Sequence, residues 1–279
     1  MRVVRAVLPA ILLLGACSTS LTSLQPARTT PAGHVAVTTS AQVTPPVGLP
    51  GEVREDLDEL RGRGGNPSEA RMREIAGLAG AALMAPPSGD GQLAVAAGLT
   101  KRLELNARAR TTSAGAGLRF QWLRRSPGIY GAIGLNVDAS FRAFPIERFA
   151  SRVDLRSFRR VDVSIPLVLG YSRKHVHVWA GPKLVWSRAS ASFDYCSRRV
   201  DGECLTDVPI DARGTALFSA GQLGVALGGS RFWVAFELTL ARARVRADLD
   251  LQMSGEPMEH TIDRTGRVLT PALGLILWI

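Results

Sequence analysis

The sequence has no apolar run long enough to cross a membrane as an α-helix, which needs about 20 consecutive apolar residues. The N-terminal apolar stretch, 7–14, and the longest later one, 76–84, are both too short. Only helices and closed barrels satisfy all their backbone hydrogen bonds in lipid. If this chain spans a membrane, it must therefore do so with the strands of a closed barrel.

The N terminus resembles the signal of a bacterial lipoprotein. Two arginines precede the apolar stretch, and small residues follow it. The stretch 14–17, Leu-Gly-Ala-Cys, is similar to the lipobox, which implies that residues 1–16 are a signal peptide and that Cys17 carries lipid. Ser18 is not Asp, and the resemblance then implies transport to the outer membrane, with the lipoprotein-export machinery as a partner. The alternative is an ordinary signal peptide with a chance cysteine.

Cysteine is scarce, with three in 279 residues. Once Cys17 is set aside, Cys196 and Cys204 form an even pair in an exported chain, which predicts a disulfide. A metal site is the weaker interpretation because no second pair and no nearby histidine supports it. We expect no metal and no cofactor.

Lysine is scarcer than arginine, so the net charge of +10 comes mostly from guanidinium groups. Nucleic acid is one partner for such a chain, but an exported protein meets little of it. We therefore expect no nucleic-acid partner and favour phosphorylated lipid headgroups. The alternative is that the arginine content reflects genome composition.

The composition divides the chain into a signal peptide, a tether and a barrel. Residues 17–31, rich in Ser, Thr and Pro, predict a flexible tether. From 32 to 279 the apolar residues alternate with period two, which is typical of strands with two different faces. The ten runs that alternate are 34–43, 92–100, 102–110, 114–123, 129–141, 161–171, 175–187, 216–228, 232–246 and 268–279.

Three features predict an all-β, antiparallel, up-and-down transmembrane barrel of about ten strands. Connections after strands two, four, six and eight are tight, whereas those after five, seven and nine are long, as in outer-membrane barrels. Aromatic residues fall at strand ends on the apolar face. The other face carries glycine and charge, which suits a polar lumen and not a hydrophobic core. The charged residues expected in the lumen are Arg108, Arg119, Asp138, Asp162, Lys183 and Glu237.

The last strand, 273–279, resembles the C-terminal targeting strand of outer-membrane barrels, which implies the barrel-assembly machinery as a partner. This chain ends in Ile279, whereas the family usually ends in Phe. An even strand number places both the lipid anchor and the C terminus on the periplasmic side of the cell outer membrane. Residues 45–90 interrupt the strands and predict a short helical insert between strands one and two. A stripe of small residues around Ala79 would suit a plug, and a surface helix is the alternative.

The basic residues expected outside the cell predict contact with lipopolysaccharide, because arginine pairs well with phosphate. A simple solvated surface is the alternative. The predicted lipopolysaccharide-binding residues are Arg148, Arg152, Arg156, Arg242, Arg244 and Arg246.

The function predicted from the sequence is a barrel lipoprotein with a structural, binding or small-solute channel role. One alternative is an outer-membrane enzyme acting on lipid or peptide, although no catalytic residue can be named. Omptin-like proteases are ten-stranded barrels with acidic residues and histidines at the external mouth, but His175 and His177 fall at the opposite end here. A second alternative is a lipidated soluble carrier resembling a lipocalin.

Overall fold

The protein is a ten-stranded antiparallel barrel, as the alternation predicts. The structure is a computed structural model that describes residues 21–45, 47–52, 55, 84, 88–125, 127–140, 153–200, 203–253 and 256–279. Neighbouring strands in the sequence pair with each other, and β1 pairs with β10 to close the ring. No helix among these residues is long and apolar enough to span a membrane.

The strands fall into a short set and a long set. The first five contain between 8 and 13 residues, and the last five contain between 20 and 26. Their bounds are β1 Val35–Thr44, β2 Ser88–Gly98, β3 Leu103–Arg110, β4 Ser113–Arg125, β5 Ile129–Ser140, β6 Val153–Ser172, β7 Val176–Val200, β8 Glu203–Gly228, β9 Phe232–Met253 and β10 Glu256–Trp278.

Four tight turns lie at one end of the barrel, which we call the short-turn end. They connect β2 to β3, β4 to β5, β6 to β7 and β8 to β9, and their positions confirm the sequence-based expectation. Both ends of the barrel sheet lie there as well, because Val35 N–H donates to Ile279 O at 3.0 Å and Ile279 N–H donates to Val35 O at 2.8 Å. The opposite end, where the last five strands project, is the long-strand end.

The barrel is apolar outside and polar inside, the arrangement of a transmembrane barrel. Leu135, Ile165 and Leu238 are 51%, 42% and 36% exposed, whereas Glu237 is fully buried in the lumen. Alternate side chains of a strand point to opposite faces, so the same alternation places the apolar side chains outside and the polar side chains inside. A soluble lipocalin-like carrier requires the reverse orientation.

The prediction of long loops after strands seven and nine was wrong. β7 and β8 stay paired to Val200 and Glu203, and β9 and β10 to Met253 and Glu256. The alternation continues through these regions with its polarity reversed. In β9, Val245 and Leu249 are buried on the inner face, whereas arginines and aspartates occupy the outer face. Such strands form outside the lipid, where charge belongs on the outer face.

The insert between β1 and β2 ends at residue 87, since β2 begins at Ser88 and not at 92. Residues 49–52 are helical, and Leu49 and Met84 are fully buried inside the barrel. A Cβ on Gly266 would lie 2.6 Å from Leu49 Cβ, so glycine allows this close approach. The small-residue stripe around Ala79 lies outside the described residues.

Candidate functional site: a lumen closed by the N-terminal segment

Residues 21–31, which we call the N-terminal segment, run inside the barrel. Their composition predicts a flexible tether, but Leu21, Leu24, Ala27 and Thr30 are nearly inaccessible to solvent. The segment starts beside Thr239 of β9 and reaches the short-turn end, where Ala32 bridges to Gly98. The prediction of a free tether was therefore wrong for these residues, because the polar lumen satisfies the backbone groups that water would otherwise hydrate.

The upper part of the segment is held by a buried lysine and a buried glutamate. Lys183 Nζ donates to Leu21 O at 2.9 Å. Glu237 accepts hydrogen bonds from Ser23 N–H at 2.9 Å and Leu24 N–H at 3.0 Å. Trp179 Nε1 donates to the same carboxylate at 3.2 Å. A hydrogen bond to a charged group contributes about 1.5–3 kcal/mol, so Glu237 is a main attachment point.

The lower part of the segment is held by β3 and β4. Thr29 donates to Gln121 Oε1 through its backbone N–H at 3.2 Å and through its hydroxyl at 2.8 Å. Thr30 N–H donates to Glu104 Oε2 at 2.6 Å, and Arg119 donates to the other oxygen of Glu104 at 2.9 Å and to the carbonyl of Pro26. One ion pair of the wall thus binds the segment through both of its partners.

Aromatic rings line the lumen at the short-turn end. His177 lies 4.0 Å from Trp233 and 5.7 Å from Trp278 between ring centroids. Arg28 of the segment lies 5.3 Å above the Trp278 ring, within range of a cation–π interaction. His177 is therefore packed among rings, while His175 is exposed and bonds to Gly228 O at 3.0 Å.

The space beside the segment is small in the interior of the lumen and larger at its short-turn mouth, where a cavity of about 310 Å³ lies beside Pro31 and Arg124. The cavity between residues 23–28 and the wall at Asn106 and Arg119 has a volume of about 30 Å³. A buried water needs roughly 10–15 Å³ by this measure, so the cavity admits only a few water molecules.

At the upper end of the segment, charged side chains of the wall bond to each other. Arg108 and Asp138 form a two-point ion pair in which both side chains are nearly buried. Arg160 bonds to Asp162 at 2.8 Å and also donates to the carbonyl of Met84 at 3.3 Å. The upper wall thus holds one end of the insert as the lower wall holds the segment. Leu21, Leu49 and Met84 belong to one apolar cluster at this level.

The lumen residues expected from the sequence all lie in this interior. Arg108, Arg119, Asp138, Asp162, Lys183 and Glu237 are at most 6% exposed. No cluster of His, Cys, Asp and Glu that could hold a metal ion occurs in the part of the chain that the structure describes.

The expected lipopolysaccharide-binding arginines lie in different settings. Arg242, Arg244 and Arg246 are exposed on the outer face of β9, directly above its apolar residues. Arg156 on β6 is half exposed and pairs with Asp194 on β7 at 2.9 Å. Arg148, Arg152, the lipid-attachment residue Cys17 and the side chain of Cys204 lie outside the described residues, so the predicted disulfide stays a prediction.

The sequence placed Glu237, Lys183 and Arg119 in the lumen but missed the segment that they bind, although one signal was present. Glu237 lies between Gly224 on β8 and Ala272 on β10, so neither neighbouring strand offers it a basic partner. A buried carboxylate must find donors, and here Trp179 of the wall supplies one and the N-terminal segment supplies two.

The fold is similar to that of several solved outer-membrane barrels. The outer membrane protease OmpT from Escherichia coli is 10% identical over 88% of this chain and 94% of its own, with a TM-score of 0.38. A major outer membrane protein from Thermus thermophilus is 11% identical over 88% and 99%, with a TM-score of 0.36. The copper transporter OprC is 12% identical over 90% of this chain, with a TM-score of 0.39, and the chain spans 35% of the transporter.

No family model and no curated protein matches the chain.

Proposed function

We propose that the protein is an outer-membrane β-barrel lipoprotein with a structural or binding role and a lumen that is closed by its own N-terminal segment. It anchors through Cys17 and through its barrel, and it does not pass solutes in this state. The export signal, the outward apolar band and the polar interior support this location. The short turns face the periplasm in the proposed orientation, as is usual for such barrels.

The proposal of a closed lumen is supported by one observation, the set of hydrogen bonds between the segment and buried wall residues. These bonds occur at two levels, at Glu237 and at Glu104 with Gln121. Release of the segment would take two backbone donors from Glu237 and one from Glu104, and would leave Trp179 and Arg119 of the wall as their described partners. Because a ten-stranded barrel is only slightly wider than one that side chains fill, a bound peptide leaves no solute path.

Lipopolysaccharide is the proposed partner of the outer surface. Arg242 and Arg267 face outward on neighbouring strands immediately above Leu240 and Leu269. Their height matches that of phosphate groups above an acyl layer, and guanidinium groups bind phosphate through two hydrogen bonds. The two arginines therefore favour a phosphorylated lipid over a simple solvated surface.

Conductance in planar bilayers tests the closed lumen. We expect the wild-type protein to be silent and Glu104→Ala/Glu237→Ala to open intermittently, because the segment loses its two carboxylate anchors. In that background, Thr29→Cys/Gln121→Cys bridged by a short reagent with two thiol-reactive groups should restore silence, and the unbridged protein should still conduct.

Folding of each variant is checked by heat-modifiable gel migration. Steady conductance by the folded wild-type protein would contradict the proposal and favour a small-solute channel. If the anchor-deficient variant conducts equally with and without the bridge, the segment does not close the lumen.

A further inference from the structure

The N-terminal segment descends through the lumen in one direction. Its first residue, Leu21, receives a hydrogen bond from Thr239 Oγ1 at 3.4 Å. The next contacts are with Glu237, two positions nearer the start of β9, and the last is the bridge from Ala32 to Gly98. The chain therefore reaches the short-turn end only at its C-terminal side.

Leu21 is far from the short-turn end. Thr239 is seven positions beyond Phe232, where β9 begins. With a rise of about 3.4 Å per residue and a strand tilt of about 40°, this places Leu21 roughly 18 Å above that end. Four extended residues reach at most about 14 Å, so Cys17 cannot return to the short-turn end. The return path is also filled by the segment itself.

The other end of the barrel is within reach. Thr239 precedes Leu240, the last apolar residue on the outer face of β9 before the arginines begin. Leu21 thus lies near the upper edge of the apolar band. The closed, hydrogen-bonded wall prevents lateral exit, but the rim is uneven because β3 has 8 residues and β8 has 26. The low side, formed by the shorter strands, gives a route from the lumen to the membrane surface.

We propose that the chain ahead of Leu21 leaves the lumen at the long-strand end and that the lipid on Cys17 inserts into the membrane leaflet on that side. This inference rests on the proposed lipidation of Cys17. In the proposed orientation the anchor lies in the outer leaflet, and the barrel threads its own N terminus to the cell surface. The strand count predicts a periplasmic anchor only if the chain enters β1 from outside the barrel. Because the chain enters β1 from the lumen, we place the anchor on the opposite side.

An epitope inserted after Thr19 tests the direction of threading. Reference epitopes are placed between Ser254 and Gly255 at the long-strand end, and after Lys101 at the short-turn end. Antibody binding is compared on intact and permeabilised cells. We expect antibody binding to the epitope after Thr19 to match binding to the epitope at 254–255, on intact cells and on permeabilised cells. The inference is overturned if it behaves like the one after Lys101, or if it stays inaccessible in both conditions.

Mass spectrometry of the N-terminal peptide separates the threading from the lipoprotein proposal. We expect lipid on Cys17 in the wild-type protein and none in Cys17→Ala, with the epitope on the same side in both. A wild-type peptide without lipid would overturn the anchor and the proposed lipoprotein function, while the epitope position alone decides the direction of threading.

Discussion

Arg242 on β9 lies directly opposite Arg267 on β10, and both side chains are exposed on the outer face of the barrel. Like charges directly across two strands destabilise a sheet unless something neutralises them. The structure describes an ion pair for neighbouring Arg244, with Asp263 at 3.3 Å, and none for Arg242 or Arg267. An anion bound between the two guanidinium groups would remove the repulsion.

Removal of this arginine pair should weaken binding of lipopolysaccharide. For Arg242→Gln/Arg267→Gln we expect affinity to fall at least about tenfold, because each charge-assisted hydrogen bond contributes about 1.5–3 kcal/mol. Titration of lipopolysaccharide into the detergent-solubilised protein measures the change. The matched control, Arg102→Gln/Arg125→Gln, removes two exposed arginines at the short-turn end and should bind normally. Equal affinity in both variants would remove the proposed partner.

The position of the N-terminal segment can be tested by crosslinking. Thr29 and Gln121 bond to each other inside the lumen, whereas Phe120, one position away on β4, faces outward. We expect Thr29→Cys/Gln121→Cys to be bridged in high yield by a short reagent with two thiol-reactive groups, as seen by peptide mass mapping. Thr29→Cys/Phe120→Cys should give almost no bridge, because the barrel wall separates the two thiols. Similar yields for both pairs would place the segment outside the lumen.

The sequence predicts the wall of the barrel better than its contents. Alternation within each strand depends on nearest neighbours, so the tight turns and the outward position of residues such as Leu135 could be derived from local pattern. The N-terminal segment has no such pattern, because its bonds use backbone groups that every sequence carries. Its partner Glu237 is more than 200 positions away from Ser23 and Leu24. Composition alone therefore predicted a tether.

The lengths of the last five strands were missed for a different reason. The expectation that apolar side chains face outward holds only within the lipid. In β8, Leu217 faces outward, whereas Ala212 and Ile210, which lie nearer the long-strand end, face inward. Where a strand leaves the membrane, the period of two continues but the apolar side chains change from the outer face to the inner face. A reader of the sequence who expects apolar residues on the outer face throughout therefore takes this part of the strand for a loop.

Two aspartates with different exposure should differ in their contribution to stability. For Asp138→Ala we expect a loss of about 3–5 kcal/mol in the free energy of unfolding, because Arg108 is left buried without its partner. Asp263→Ala removes an exposed ion pair with Arg244 and should cost at most about 1 kcal/mol. Urea titration followed by tryptophan fluorescence measures both. A small loss of stability in Asp138→Ala would contradict this, because it would show that water or another group replaces the carboxylate as the partner of the Arg108 guanidinium.

Two glycines of β8 differ in what a methyl group would contact. A Cβ on Gly224 would overlap the Trp179 indole, whose Nε1 donates to Glu237, whereas a Cβ on Gly221 would have no heavy atom within 4 Å. We expect Gly224→Ala to lower the free energy of unfolding by about 1–3 kcal/mol, because the indole must move. The same movement weakens the attachment of the segment, so the yield of the Thr29→Cys/Gln121→Cys bridge should fall in this background. Gly221→Ala should be neutral or raise stability by up to about 1 kcal/mol, since alanine restricts the unfolded chain. If Gly224→Ala destabilises the barrel without changing the bridge yield, Trp179 supports the wall alone and does not help Glu237 to hold the segment.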